Sequence, residues 1–264
     1  MKRSLTLFAG ALAGLGLLWN ATSCSGLNLF SVQDDKDLGA QVDDEIESSP
    51  SDYPILDESD FPDAYAYLRD IRDDILDSGE VNHLDDFVWE IHIIDDDEVL
   101  NAFATPGGYL YFYTGLIKYL DIEDHLAGVM GHEIAHAAER HSTEALSEVY
   151  GIDLLLSAAL GNDLAIVQDI ATGLGALAFS RDNESEADEK SVLYLANSRY
   201  ACNGTAGFFQ KLIDEGSGGG GPEFLSTHPN PDNRVEAIND KAAELGCDTT
   251  PSGRDYDAFK AMLP

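Results

Sequence analysis

Basic residues are scarce in this chain. Its 264 residues include 15 Lys and Arg against 49 Asp and Glu, which gives a formal net charge of -34. Nucleic acid is bound through clustered Lys and Arg, so a nucleic-acid partner is excluded. A strongly acidic surface stays soluble where salt screens its self-repulsion, which indicates a salt-tolerant or marine source. An ordinary solvated acidic surface is the alternative.

The chain also lacks a long uninterrupted hydrophobic run. The stretch from Leu5 to Leu18 is too short for a comfortable membrane span, and it follows Lys2 and Arg3 as the apolar part of an export signal does. Residues 152–179 are apolar but are broken by polar residues around position 162, which predicts helices packed into a core. The glycine run 216–221 lacks the following Lys-Ser/Thr of a phosphate loop, so it predicts a flexible loop.

Cysteine is almost absent, and the three that occur fall into two groups. Cys24 follows Ala-Thr-Ser at the end of the export signal, which predicts a lipoprotein that is cleaved before Cys24 and lipidated on it. A plain secretory signal with an incidental Cys is the alternative. Cys202 and Cys247 then remain as a pair in an oxidising compartment, which predicts a disulfide. Two buried thiols are the other possibility.

The remaining chain divides by composition and periodicity. Residues 1–23 are predicted as the signal peptide, 24–60 as an acidic tether with one short helix, and 61–264 as a folded domain. Three strands are predicted over 87–94, 101–105 and 109–113, with a turn at Pro106-Gly107-Gly108 between the last two. Helical spacing dominates from 115 onwards, with predicted helices at 115–120, 123–140, 143–160, 163–179, 182–199, 204–215 and 231–245.

The most specific chemical signal is the HExxH motif at residues 132–136. Histidines four residues apart lie on one face of a helix, so the imidazoles of His132 and His136 can reach the same metal ion. Glu133 stands beside that ion, where it can take a proton from water. The motif therefore predicts a zinc site with Glu133 as the catalytic base.

A catalytic zinc site needs a third protein ligand and one open position. The chain lacks the Gly and His that follow the motif in metzincins, because Glu139 and Ser142 stand there. A later stretch, ESEAD at 184–188, offers a glutamate instead. Glu184 and Asp188 share one helix face, so Glu184 can bind zinc while Asp188 accepts the second N–H of a ligand histidine. A solvated acidic helix is the alternative for this pair.

Four stretches together resemble the zinc metallopeptidase family that includes the CAAX prenyl proteases, the heat-shock protease HtpX and the periplasmic proteins LoiP and BepA. They are NAFATPGG at 101–108, HEIAH with Arg140 and His141 after it, ESEAD, and STHP at 226–229 with Arg234. They occur in the order and spacing of that family. Without the internal membrane helices or helical repeats of the larger members, the chain most resembles the short periplasmic lipoproteins.

The resemblance implies roles that spacing alone does not single out. Asn101, Ala102 and Phe103 would lie on an edge strand to which a substrate peptide adds by main-chain hydrogen bonds. An ordinary hairpin is the alternative for these three residues. His228 would lie on a loop near the metal, either in the open ligand position or as a donor to the oxyanion. Arg234 would anchor that loop.

These observations predict a mostly helical α+β gluzincin domain with a small sheet and one zinc ion. The expected reaction is hydrolysis of peptide bonds in unfolded or misassembled cell-envelope proteins, by analogy with family members. A lipid on Cys24 would hold the exported chain to a membrane in the periplasm, and Ser25 favours the outer membrane by resemblance to enterobacterial lipoproteins. Two alternatives remain, a chaperone-like binder of envelope proteins with little proteolysis and a metal-dependent hydrolase of a non-peptide substrate.

Overall fold

The computed structural model describes residues 30–215, 223–228 and 233–264. The described helices are α1 (Val32–Glu47), α2 (Pro62–Leu76), α3 (Thr114–Tyr119), α4 (Glu123–Ala138), α5 (His141–Tyr150), α6 (Ile152–Ala159), α7 (Leu164–Gly173), α8 (Arg181–Leu195), α9 (Gly204–Asp214), α10 (Glu223–Thr227), α11 (Arg234–Leu245) and α12 (Tyr256–Lys260). The strands are β1 (Glu90–Ile94), β2 (Ala102–Ala104) and β3 (Tyr109–Tyr113), and a 3₁₀ turn spans Leu174–Ala176. The predicted fold class, mostly helical α+β with a small sheet, is confirmed.

The three strands form one mixed sheet in the order β1-β3-β2. β1 runs parallel to β3, with Ile91 opposite Leu110, and β2 runs antiparallel to β3, with Phe103 opposite Tyr111. β2 therefore lies at one edge of the sheet. The tight connection from β2 to β3 uses Gly107 and Gly108 at φ 79° and 94°, a backbone region that glycine adopts without steric cost.

The sheet separates two apolar layers because successive side chains point to opposite faces. Ile91, Ile93 and Phe112 face the larger layer, which contains α2, α4, α8 and α9. Ile94, Tyr111 and their neighbours face a second layer built from α1, α6 and α7. Helix α4 thus packs on one face of the sheet, while α1 packs on the other.

The segment predicted as an acidic tether differs from that prediction. Residues 32–47 form a helix of 16 residues that begins with a capping box at Ser31 and buries Leu38, Val42 and Ile46 against the second layer. Asp35, which is 1% exposed, accepts hydrogen bonds from Arg140 and from Thr143 Oγ1. The acidic composition did not indicate this packing, because the partners of Asp35 lie about a hundred residues further along the chain. The other predicted domain boundaries stay predictions.

The apolar region 152–179 is divided by turns. The helix predicted over 143–160 is interrupted at Gly151, where φ is 80°. The structure therefore has two helices there, α5 and α6. Leu155, Val167 and Ile170 are buried as expected, whereas Leu160 and Leu164 are 69% and 67% exposed. Within the described ranges no single helix is long and apolar enough to cross a membrane. Ile152–Ala159 and Leu164–Ala176 reach that length and composition only together, as a pair bent by 106°.

The C-terminal part of the chain is joined to the start of α4. Asp124, in the first turn of α4, accepts hydrogen bonds from the backbone N–H of Ala201 and from Ser252. Negative charge is favourable at that helix end. Cys202 and Cys247 form a disulfide beside these contacts, so that prediction is confirmed. The predicted signal peptide, the lipidated Cys24 and the glycine run 216–221 lie outside the described residues.

Candidate metal centre

Helix α4 carries the HExxH motif through the middle of the molecule. It runs from Glu123 to Ala138, and Arg140, whose φ is 65°, separates it from α5. Gly128 allows α9 to approach closely, since a Cβ there would lie 2.1 Å from Thr205 N. The helix is consequently held between α8 and α9, and the motif is completely shielded from solvent.

Four buried side chains converge next to α4: His132, His136, Glu184 and His228. One ligand atom from each lies within 4.8 Å of the other three. His132 Nε2 and His136 Nε2 are 3.0 Å apart, and the Glu184 carboxylate lies 3.4 Å from the first and 3.3 Å from the second. His228 Nδ1 lies 2.9 Å from Glu184 Oε1 and 3.3 Å from His132 Nε2.

This donor set fits a zinc ion. Ligand atoms about 2.0–2.1 Å from a tetrahedral zinc are themselves about 3.4 Å apart, close to the separations observed between these side chains. Imidazole nitrogen and carboxylate oxygen are both zinc ligands. Glu184 Oε2 is buried without a hydrogen bond within the described part of the chain, although charged pairs surround it. The residues present would therefore accommodate the metal with little rearrangement.

A second set of contacts orients His132. Its Nδ1 lies 3.0 Å from Asp188 Oδ1, on the side opposite the cluster. Arg234 donates to Asp188 Oδ2 at 2.5 Å and also lies 2.8 Å from Glu184 Oε2. Helix α8 places Glu184 and Asp188 one turn apart, and α11 begins at Arg234. A carboxylate that holds the outer nitrogen of a ligand histidine fixes its tautomer and ring orientation.

Charge in this buried group is balanced between neighbours. Burial alone would lower the pKa of His132, but hydrogen bonds to Asp188 and Glu184 raise it to about 9. Burial lowers the pKa of His136 well below its usual value, which favours the neutral imidazole that a metal requires. Burial would raise the pKa of Glu184, but the three surrounding histidines hold it well below its usual range.

Glu133 lies beside this cluster without being one of the four converging groups. Its side chain is fully buried, and neither carboxylate oxygen has a hydrogen-bond partner among the described residues. His228 Nε2 lies 3.5 Å from Glu133 Oε1. Burial raises the pKa of Glu133, and His228 and His132 partly oppose this. The carboxylate is therefore free to bond a small polar molecule beside the histidines.

Two aromatic side chains that the sequence did not single out enclose the cluster. Phe179 stacks on His136 with ring centroids 3.9 Å apart, and Phe224 stacks on His228 at 4.2 Å. Phe179 N donates to Thr227 O, which joins the segment before α8 to α10. In the sequence, only the neighbouring ESEAD and STHP stretches could have indicated that Phe179 and Phe224 lie at the site. Neither phenylalanine has a characteristic spacing to the histidines.

His141 is the third neighbour whose contact was not anticipated. His141 is the first residue of α5. Its Nδ1 lies 3.1 Å from His136 Nδ1, and its Nε2 lies 3.5 Å from Glu186 Oε2. His141 thus holds the outer nitrogen of His136 in the way that Asp188 holds that of His132.

Edge strand β2 packs on α4, the helix that carries the motif. Asn101 is fully buried, and its side chain accepts from Ala102 N and donates to Gly175 O. Asn101 O accepts from Tyr113 N, and Thr105 N donates to Tyr109 O, so the odd-numbered residues bond to β3. By alternation, the backbone groups of Ala102 point away from β3. Ala102 also faces α4, whereas Phe103 faces the opposite layer.

A helix with two histidines one turn apart, a glutamate from a later helix and a small sheet packed on the motif helix define the gluzincin class of zinc metallopeptidases. Residues 62–242 match Peptidase family M48, and the chain belongs to that family. This confirms the predicted family, the class of zinc metalloendopeptidases and zinc as the cofactor.

The similar proteins are named as proteases or metalloendopeptidases. The chain is 31% identical over 182 residues to the beta-barrel assembly-enhancing protease of Yersinia pestis, covering 64% of this chain and 37% of that protein. It is 30% identical over 197 residues to the protein of the same name from Escherichia coli K12, covering 69% and 40%. It is 31% identical over 164 residues to the mitochondrial metalloendopeptidase OMA1 of Schizosaccharomyces pombe, covering 61% and 48%. The aligned region is thus less than half of each of these relatives.

Proposed function

We propose that this chain is a zinc metalloendopeptidase that cleaves unfolded or misassembled proteins of the cell envelope. The observation that carries the proposal is the convergence of His132, His136 and Glu184 on one point with the unbonded carboxylate of Glu133 beside it. The first three residues would hold the metal. Glu133 is not part of this converging group, and neither of its carboxylate oxygens has a hydrogen-bond partner among the described residues.

We assign a role in the reaction to each residue from its position. A zinc ion bound here would polarise the scissile carbonyl and make water more acidic. Glu133 accepts the proton of the attacking water and later passes it to the leaving amine. Its raised pKa suits both steps, because a carboxylate of low proton affinity would be a poor base. Asp188 and Arg234 keep His132 and Glu184 in position.

Edge strand β2 supports an extended polypeptide as the substrate. The carbonyl of Ala102, which alternates away from β3, can accept a hydrogen bond from a peptide laid beside the strand, whereas the Ala102 N–H already donates to Asn101 Oδ1. Asn101 holds the start of the strand through its two side-chain hydrogen bonds, and Phe103 anchors it in the opposite layer. Only a segment without its own secondary structure can add in this way, so unfolded chains are favoured over folded ones.

The names of two relatives support the envelope as the place of action, because both are described as proteases that enhance β-barrel assembly. The predicted export signal and lipid anchor on Cys24 are consistent with a periplasmic position at the outer membrane. A mitochondrial relative shows that the family is not confined to one compartment.

A second candidate is a chaperone-like binder with little proteolysis. The observation that favours it is the position of His228, whose Nδ1 lies within 3.3 Å of ligand atoms on both Glu184 and His132. A histidine in that place could occupy the open metal position and suppress hydrolysis. Binding through β2 would then remain.

Metal analysis combined with digestion of casein, as an unfolded substrate, tests the proposal. The purified chain should contain zinc and digest casein, and Glu133→Gln should keep the zinc while hydrolysis falls by roughly a hundredfold or more. Glu148→Gln, which removes an exposed carboxylate from α5, is the matched control and should retain full activity. Equal turnover by the wild-type protein and Glu133→Gln would refute the mechanism. Binding of casein without any cleavage by the wild-type protein would support the chaperone-like alternative.

A further inference from the structure

A second group of metal-ligand type side chains lies on the other face of the sheet. Asp43 and Glu47 are one turn apart on α1, and His92 is on β1. One ligand atom from each lies within 4.8 Å of the other two. These residues belong to α1 and to the second apolar layer, so they share no side chain with the cluster on α4.

The histidine of this group is buried and incompletely bonded. His92 is 5% exposed, and its Nε2 has no hydrogen bond to any described residue although it lies 3.0 Å from Asp43 Oδ1. Its Nδ1 lies 4.0 Å from Glu47 Oε1. Asp43 is also buried and accepts a hydrogen bond from Tyr111 Oη at 2.5 Å. An imidazole without a hydrogen-bond partner is therefore directed at a carboxylate that is already fixed in place.

The surrounding charge favours a cation. Asp43, Asp44 and Glu47 occupy the end of α1, where the helix dipole is negative and the last turn contains no basic residue. Burial raises the pKa of Glu47, and the charges of Asp43, Glu90 and Asp44 add to this, with His92 in opposition. Acidic side chains at a helix C-terminus are repelled by one another and by the negative end of the helix dipole. A bound divalent ion would offset both repulsions.

We propose that Asp43, Glu47 and His92 form a second divalent-cation site that ties α1 to the sheet. An imidazole with two carboxylates suits zinc and other first-row transition ions better than Ca²⁺ or Mg²⁺, which prefer oxygen ligands alone. Glu47 has a side chain that is 54% exposed, so an ion can enter from solvent and keep water in its remaining position. The ion's role is structural, because its ligands would join α1, which carries Asp43 and Glu47, to β1, which carries His92.

The site connects to the peptidase centre through stacked rings. His92 stacks on Tyr111 with ring centroids 4.9 Å apart, and Tyr111 stacks on Phe103 at 4.6 Å. Phe103 belongs to edge strand β2. A cation that fixes His92 would consequently stabilise the face of the sheet that supports β2, without contact to the substrate.

Zinc titration calorimetry on the chelator-treated full chain tests the site. The wild-type protein should bind two ions, and Glu47→Gln should bind one. His136→Ala, which removes a ligand of the other cluster, should also bind one, and zinc should still raise its melting temperature. Asp44→Asn is the matched control, since it removes an exposed carboxylate from the same helical turn and should keep both ions. His92→Phe, which keeps an aromatic ring in the stack, should lose one ion as Glu47→Gln does.

Several outcomes would overturn the proposal. Binding of a single ion by the wild-type protein would do so, as would two ions of unchanged affinity in Glu47→Gln. An equal loss in Asp44→Asn would show that general acidity, and not coordination, attracts the ion. Calcium should bind at least about tenfold more weakly than zinc, and equal affinity would contradict the assignment to transition ions. Far-ultraviolet circular dichroism of every variant confirms that it is folded, and Glu47→Gln changes only a partly exposed side chain.

Discussion

Asp188 Oδ1 lies 3.0 Å from His132 Nδ1, one turn of α8 beyond Glu184. This contact turns His132 Nε2 toward the other converging groups. It also makes the basicity of His132 depend on a residue that does not itself join the metal cluster. The arrangement extends to Arg234, which forms ion pairs with the carboxylates of both Glu184 and Asp188.

Asp188→Asn should weaken zinc binding by about ten- to a hundredfold, because the outer nitrogen of His132 loses its charged acceptor. Competition with a chromogenic chelator measures this affinity. Glu189→Gln, whose side chain is 64% exposed on the same helix, is the control and should bind zinc as the wild-type protein does. Unchanged affinity in Asp188→Asn would remove Asp188 from the proposed support of the site.

The same variant should change the pH dependence of zinc binding. Zinc must displace a proton from His132 wherever the pH is below its pKa of about 9, so wild-type affinity should rise as the pH is raised toward that value. Without the Asp188 carboxylate the pKa of His132 falls. The affinity of Asp188→Asn should accordingly level off at lower pH, and a parallel pair of pH profiles would contradict this explanation.

Glu184→Ala should lose zinc, whereas Glu186→Ala should retain it. Glu184 is fully buried among the three histidines, while Glu186 has a side chain that is 50% exposed beside His141. Metal content after dialysis against a weak chelator distinguishes the two variants. Glu184→Gln, which keeps the size and hydrogen-bonding capacity of the side chain, guards against a simple folding defect. Equal zinc retention in all three variants would refute the assignment of Glu184 as a ligand.

His228→Ala should raise basal casein hydrolysis. His228 Nδ1 lies among the ligand atoms, and a histidine in the open metal position keeps the enzyme latent. Initial rates with and without the substitution measure the effect, with Ser226→Ala as an exposed neighbouring control. A fall in kcat by about a hundred- to a thousandfold would instead assign His228 as a donor to the oxyanion. An unchanged rate with unchanged metal binding would show that His228 has neither role.

Reduction of the Cys202–Cys247 disulfide should lower the free energy of unfolding by about 2–4 kcal/mol. The bond closes a segment with a sequence separation of 45, and the loss should appear as a lower denaturant midpoint in the presence of a reductant. A double Cys202→Ser and Cys247→Ser variant is the control, because its midpoint should not respond to the reductant. Labelling of both thiols in denatured, unreduced protein would contradict the presence of the bond.

The local elements were predictable because each depends on residues close in sequence. The predicted helix over 123–140 corresponds to α4 at Glu123–Ala138, and the predicted strand over 109–113 corresponds to β3. Periodicity of apolar residues reports such elements directly. The predicted break around position 162 also separates α6 from α7. The export signal, the lipid on Cys24 and the roles of individual site residues stay predictions.

The tether predicted over 24–60 shows that composition does not report contacts with distant residues. Acidic composition indicates a solvated segment only when no distant partner is available, and Asp35 has one in Arg140. The same limit applies to Phe179 and Phe224, which become walls of the site only after α8 and α10 approach α4. Residues that meet through tertiary packing have no common period in the sequence.

By itself, the sequence determined that His132 and His136 share a helix face with Glu133 between them, because the helical repeat is a property of the local backbone. It also determined the candidate third ligand, through the matching spacing of Glu184 and Asp188. Only the tertiary structure decided that His228 joins the ligand group and that Asp43, Glu47 and His92 assemble on the opposite face of the sheet. Those positions depend on how helices pack across long stretches of chain, where burial of apolar surface rather than local spacing selects the contacts.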